Sequence, residues 1–343
     1  GRPLRSVYFG GGTPSVVPPE DLRTVLDAVR EEFGLAKDAE VTVEMDPGTF
    51  GRKDVDELLE MGMNRVSVGA QSFSDELLKT CGRSHSVFEI YEAVEHLRAA
   101  GVKNFSLDLM SGLPGQTMEL FEHAVACITD INPAHVSSYD LTIEPRTKFG
   151  KLYAPGVAPM PSEDAAADMY TRGIELLGKA GYEHYETSNY AKRGLESVHN
   201  MTYWDNKPYF GFGMSAASFV DGNRFSRPRT MPEYSAWLAD YEASGGAEPI
   251  EAQTPADALK DRLMLGLRLA RGVRYDALRA QFGGVAVAAV LETVRGMVAE
   301  GVVADDENAL RLEDPKGFLV QNTVLAELFV LAERLEKEGV LVR

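Results

Sequence analysis

A chain of 343 residues exceeds one average domain and leads us to expect two unequal ones. Its 44% hydrophobic and 25% charged residues are ordinary for a globular protein, and no apolar run reaches the roughly 20 residues that span a bilayer. A formal charge of −17 repels a phosphate backbone, which argues against nucleic acid as a main partner. The only two cysteines, Cys81 and Cys127, argue against a disulfide scaffold, and their spacing matches no metal motif.

Up to about residue 185 the pattern alternates strand and helix. Runs with strand character fall at 7–9, 41–45, 65–68, 105–110 and 135–139. Between them apolar residues recur at helical spacing: Leu22, Val25, Leu26, Val29 and Phe33; Val87, Ile90, Tyr91, Val94 and Leu97; Leu120, Phe121, Ala124, Val125 and Ile128. Such alternation implies parallel strands joined by right-handed crossovers, in either a doubly wound sheet or a (β/α) barrel. Residues 140–161 read as a long proline-bearing loop and 162–180 as a helix. Gly, Ala, Pro and Thr cluster near 245–255, so the expected domains are 1–250 and 251–343. Helical patterns at 257–270, 275–282, 287–299 and 323–337, with a hairpin at 301–312, predict a small winged-helix-like module.

Polar groups gather at the carboxyl end of each strand. Gly10-Gly11-Gly12-Thr13 follow the first, Glu44-Met45-Asp46-Pro47-Gly48 close the second, and Gly69-Ala70-Gln71-Ser72 follow the third. Ligands of both α/β architectures sit at that end, so these segments should converge. The glycine run is neither a dinucleotide fingerprint nor a P-loop, yet its bare backbone suits contact with a polar ligand. Glu44, Gln71 and Arg83 read equally well as solvated strand-end groups. Asp108 stands between Leu107 and Leu109, where a carboxylate is costly unless it is partnered. His199-Asn200-Met201-Thr202-Tyr203-Trp204 fits a pocket for a flat ligand, or a loop histidine under aromatic cover.

Taken together, several runs resemble the radical S-adenosylmethionine proteins related to oxygen-independent coproporphyrinogen oxidase. They are Gly10 to Ser15, Val-Glu44-Met-Asp-Pro-Gly-Thr, Val68-Gly69-Ala70-Gln71-Ser72-Phe73, Cys81-Gly82-Arg83, Leu107-Asp108-Leu109 with Gly112-Leu113-Pro114-Gly115-Gln116-Thr117, Ser138-Tyr139 and Glu144-Pro145. The tail, from Leu312 through Gly317-Phe318 and Asn322, resembles that family's accessory domain. The resemblance implies a partial (β/α)6 barrel and a small C-terminal helical domain. It assigns Gly11, Gly12, Thr13, Glu44, Gln71, Arg83 and Asp108 to S-adenosylmethionine, with Arg83 on its carboxylate.

His199-Asn200-x-x-Tyr203-Trp204 resembles the heme chaperone branch of the family, which delivers heme to acceptor proteins. His199 would then meet the heme, with Asn200, Tyr203 and Trp204 beside it. The alternatives are the porphyrinogen-oxidising reaction of the parent family, or a ligand-binding barrel without chemistry. The family's Cys-x3-Cys-x2-Cys loop, which holds a [4Fe–4S] cluster, is absent here. We therefore expect the cluster only in a parent protein carrying that loop upstream, and no radical chemistry from this chain alone. The implied compartment is the bacterial cytoplasm, or a mitochondrion or chloroplast.

Overall fold

The computed structural model describes residues 3–246 and 252–341. By compactness the chain divides between His199 and Asn200. The boundary expected near residue 250 lies inside the second unit, and residues 247–251 are outside the described residues.

The first unit runs β1 (Leu4–Phe9), α1 (Pro19–Phe33), β2 (Leu35–Met45), α2 (Arg52–Met61), β3 (Arg65–Gln71), α3 (Asp75–Thr80), α4 (Val87–Ala99), β4 (Phe105–Ser111), α5 (Met118–Ile131), β5 (His135–Asp140), α6 (Lys148–Leu152), α7 (Glu163–Lys179), β6 (Glu183–Glu186) and β7 (Asn189–Ala191). One seven-stranded sheet has the order β1-β2-β3-β4-β5-β7-β6. Pairing is parallel from β1 to β5, and β7 lies antiparallel to both its neighbours. The sheet is an α/β half-barrel, the expected architecture.

The period-2 alternation of the strands decides which face meets the helices. Val41, Val43, Met45, Val66, Val68, Ala70, Phe105, Leu107, Leu109 and Val136 turn one way. They form a single core with Leu26, Leu58, Ile90, Leu97, Phe121 and Ile128 from the outer helices. Each such apolar side chain contributes about 1.5–3 kcal/mol through burial.

The alternate positions are polar: Tyr8, Glu40, Thr42, Glu44, Arg65, Ser67, Ser106, Asp108, His135 and Ser137. Their rows are set by register, with Thr42 beside Arg65, Glu44 beside Ser67, Ser106 beside His135 and Asp108 beside Ser137. Glu40, Thr42, Arg65, Ser67, Ser106, His135 and Ser137 are buried all the same. The inner face is therefore a buried polar interior for most of its length, half-buried at Tyr8, Glu44 and Asp108.

Helix starts follow local chemistry. Ser74, Thr117 and Ser162 accept a backbone N–H at the starts of α3, α5 and α7. Asn132 takes the left-handed conformation that ends α5. The loop expected over 140–161 contains the short α6.

Across the division runs α8 (Val198–Trp204). The second unit continues with β8 (Ala217–Val220), β9 (Asn223–Ser226), α9 (Met231–Ala243), α10 (Pro255–Gly266), β10 (Val273–Arg274), α11 (Tyr275–Ala299), β11 (Val303–Asp305), β12 (Ala309–Leu312), α12 (Lys316–Leu319) and α13 (Gln321–Lys337). The β8–β9 hairpin turns on Asp221 and Gly222, both at positive φ. The expected hairpin is β11–β12, and the short β10 adds a third strand to it. By length and composition α11 is apolar enough to cross a membrane. It is two helices joined at Gly283, whose backbone is not helical (φ 81°, ψ 166°). This is where the sequence pattern breaks between 275–282 and 287–299.

The ring of Phe121 on α5 fills the space beside Gly173 on α7, where an added Cβ would lie 3.2 Å from the ring. Phe121→Ala should lower the unfolding free energy by about 3–5 kcal/mol in urea denaturation. Gly173→Ala should cost less, about 1–3 kcal/mol, because Phe121 has only to shift.

Candidate functional site

Parallel pairing brings the carboxyl ends of β1 to β5 to one rim. Beyond β1 the backbone turns through Gly11 (φ 79°) and Gly12 (φ 66°), and a Cβ at either would meet nothing within 4 Å. This is an open cradle of main chain, reached by a conformation that favours glycine. The Gly11 N–H donates to the Glu44 carboxylate at 3.0 Å. The other oxygen of Glu44 accepts from the Tyr8 hydroxyl at 2.7 Å.

A second contact set lies one step along the rim. The Thr13 hydroxyl donates to Asp46 at 3.4 Å, and the Asp46 N–H donates to the Ser15 hydroxyl at 3.1 Å. Arg83 stands 3.8 Å from the other oxygen of Asp46. Gly69 fits between Asp46 and Gln71, since a Cβ there would lie 2.8 Å from the first and 3.0 Å from the second. Gln71 itself takes a left-handed backbone (φ 64°), at a cost of about 1–2 kcal/mol. Strain of this kind gathers at functional positions.

Asp108 receives the hydroxyls of Ser67 at 3.0 Å and Ser106 at 3.1 Å. Burial pushes its carboxyl up to about 6, the hydroxyls of Ser137, Ser67 and Ser106 oppose that, and the nearby Glu44 charge adds to it. Burial, then the charges of Glu44 and Asp108, drive the Tyr8 phenol far above its ordinary value, so it remains a hydrogen-bond donor. Below Asp108, Ser106 is bonded to His135 at 2.9 Å, and His135 to Tyr185 at 2.8 Å. Burial holds the His135 imidazole neutral.

Residues Gly11, Glu44, Thr13, Gln71, Arg83 and Asp108 thus converge, through Tyr8 and Asp46 as well as directly. Gly12 shares the cradle. Neither Tyr8 nor Asp46 was a candidate from sequence. Asp46 sits two residues past Glu44 in the same strand-end run, which is a usable signal. Tyr8 reads only as a strand residue.

His199 ends the first unit. Its ring stacks on Tyr8 with centroids 4.5 Å apart and planes at 20°. Its backbone N–H donates to the buried Glu40 at 3.0 Å, beside the Val198 N–H at 3.2 Å and the Ser197 hydroxyl at 3.4 Å. Glu40 lies 3.9 Å from the buried Arg65. Burial lowers the His199 imidazole to about 4, so it is neutral at ordinary pH.

Asn200, Tyr203 and Trp204 belong to the second unit. Tyr203 meets Tyr209 edge-on at 4.5 Å, and burial pushes its phenol up to about 12. Trp204 lies under the Arg268 guanidinium at 4.4 Å.

Cys81 and Cys127 are free thiols, one capping α3 and the other within α5. Among the described residues no three His, Cys, Asp or Glu side chains gather where they could hold a metal ion. These residues do not fit a [4Fe–4S] cluster.

The Asp108 carboxyl binds its proton more tightly folded than unfolded. Its contribution to stability should therefore fall as pH rises from about 4 to about 6, by on the order of 2–3 kcal/mol, and then level off. Asp108→Asn should remove that fall. Urea denaturation of both proteins from pH 4 to pH 8 measures it as a pH-dependent difference, in which the titration of His199 largely cancels.

Residues 1–128 match the Radical SAM superfamily model, and residues 253–320 match the HemN C-terminal domain. Over 97% of its length the chain is 38% identical to a heme chaperone HemW from Synechocystis sp., and covers 84% of that protein. It is 35% identical to a heme chaperone HemW from Lactococcus lactis, over 96% of the chain and 85% of the relative. The fold resembles coproporphyrinogen III oxidase (HemN) from Escherichia coli with a TM-score of 0.79, at 21% identity, over 95% of this chain and 78% of that one. A half-barrel with this rim, the accessory domain and identity along nearly the whole chain lead to one conclusion: the chain belongs to the HemW-type heme chaperone family of radical SAM proteins.

Proposed function

We propose that this protein binds heme through His199 and passes it to heme-accepting proteins. The observation that carries the proposal is a half-buried imidazole held neutral, stacked on Tyr8 and tied through its backbone to Glu40. Neutral imidazole is the form that ligates iron. Asn200, Tyr203 and Trp204 are the further heme contacts that the same motif proposes, the two aromatics through their apolar faces.

S-adenosylmethionine is proposed as the ligand of the rim. The open main chain of Gly11 and Gly12 and the Thr13 hydroxyl suit its methionine end. The carboxylates of Glu44 and Asp108, with the Gln71 amide, suit an ammonium group and ribose hydroxyls. Arg83 suits a carboxylate, and Asp46 orients it meanwhile. When bound, this group supplies a sulfonium cation and a transferable adenosyl moiety. The chain's own residues bind and orient it. The oxidase alternative rests on the fold likeness and on the HemN C-terminal domain match.

Heme added to the protein should give a shifted Soret band. His199→Ala should weaken heme binding by about tenfold or more, and S-adenosylmethionine binding should persist in that variant by calorimetry. Because His199 stays neutral to about pH 4, the wild-type heme complex should survive at pH 5, where an ordinary histidine is largely protonated. An identical Soret titration for His199→Ala would remove His199 from the site.

A further inference from the structure

The cationic ligand proposed for the glycine turn and the heme proposed for His199 occupy different places on the inner face. A single side chain touches both. The Tyr8 hydroxyl donates to Glu44 at 2.7 Å, the same carboxylate that accepts the Gly11 N–H at 3.0 Å. The Tyr8 ring carries the His199 imidazole face to face at 4.5 Å.

We propose that Tyr8 couples the two sites, so that a cationic ligand engaging Glu44 weakens heme binding at His199. The coupling rests on the heme and S-adenosylmethionine assignments above. Its physical basis has two parts.

The first is electronic. A phenol donating to a carboxylate has an electron-rich ring, and such a ring attracts positive charge at its face. Imidazole becomes more positive when it gives its lone pair to iron. With Glu44 anionic, Tyr8 therefore favours the iron-bound state of His199. A cation that pairs with Glu44 withdraws that support.

The second is geometric. The His199 backbone cannot follow a moving ring, because the Glu40 carboxylate holds the N–H groups of both Val198 and His199. Tyr8 is also confined. A Cβ at Gly10 would lie 2.5 Å from the Tyr8 ring and 3.0 Å from Glu44, so only glycine there admits this pose. Any shift of Tyr8 must change the stack.

The coupling is reciprocal: heme would weaken the rim ligand by the same factor. Such an arrangement makes heme release depend on occupancy of the glycine turn.

The test is a heme titration followed at the Soret band, with and without saturating S-adenosylmethionine. In the wild type the ligand should raise the heme Kd about threefold or more. In Tyr8→Phe, which keeps the ring and loses the bond to Glu44, the ratio should fall to about one. Gly10→Ala, which displaces the ring, should also lose it. An unchanged wild-type Kd, a tightened one, or an equal ratio in Tyr8→Phe would each overturn the coupling. If either ligand fails to bind the wild type at all, the site assignments fail first, and calorimetry of each ligand alone identifies which. Should both variants misfold by circular dichroism, the wild type still decides. S-adenosylmethionine without heme should move the His199 ring resonances, identified by their loss in His199→Ala, and unmoved resonances would overturn the proposal.

Discussion

Parallel pairing is the constraint on which the rest of this structure depends. Each crossover helix returns the chain to the same edge, so the ends of β1 to β5 have to share one rim. No long-range recognition is needed to bring Gly11, Glu44, Gln71 and Asp108 together. Each occupies the end of its own strand, and the register of neighbouring strands does the remainder. Thr42 against Arg65 and Val66 against Phe105 fix how far each strand end projects. The bulge between Val68 and Gln71 then breaks the alternation at the rim, and turns Gln71 into a left-handed residue beside Gly69.

The same pairing creates a cost. One face of the parallel strands packs on helices and the other carries polar groups, most of which leave water. Several are satisfied in pairs and chains: Glu40 with Arg65, Asn104 with Arg65, Ser106 with His135, and His135 with Tyr185, whereas the buried Thr42 hydroxyl finds no partner among the described residues. A carboxylate and a guanidinium buried together add little net stability. Their value here is geometric. Glu40 takes three donors from residues 197–199, and that fixes where α8 begins.

The sequence is legible where local period and local function coincide. The five parallel strands, their outer helices and the break in α11 at Gly283 all announce themselves through spacing or glycine chemistry. So does the acidic and glycine-rich character of the rim. Other parts are hidden for physical reasons. The first half of β2, Leu35 to Glu40, has no strand character, and it is extended because β1 lies beside it. β7 has three residues and exists only between two partners. The β8–β9 hairpin carried a readable signal, Asp221-Gly222, and was still not anticipated. Tyr8 and Glu40 meet His199 from more than 150 positions away, which no local pattern encodes.

The position of His199 shows how these elements act on one another. A histidine at a helix start in water would titrate near 6.5 and rotate freely. Here its backbone is anchored by a carboxylate on β2 and its ring lies on a tyrosine of β1, both on the inner face. Glu40 is 7% exposed, so its charge is directed at the three donors that it binds and is poorly shared with solvent. The imidazole stays uncharged despite the strong negative charge of the whole chain, because burial outweighs the distant acidic field. The strand alternation that builds the core therefore also sets the protonation state of the residue proposed to meet iron. A one-residue flip of β1 would exchange Tyr8 for Val7, and one of β2 would exchange Glu40 for Val41, so either flip would remove one of the two supports.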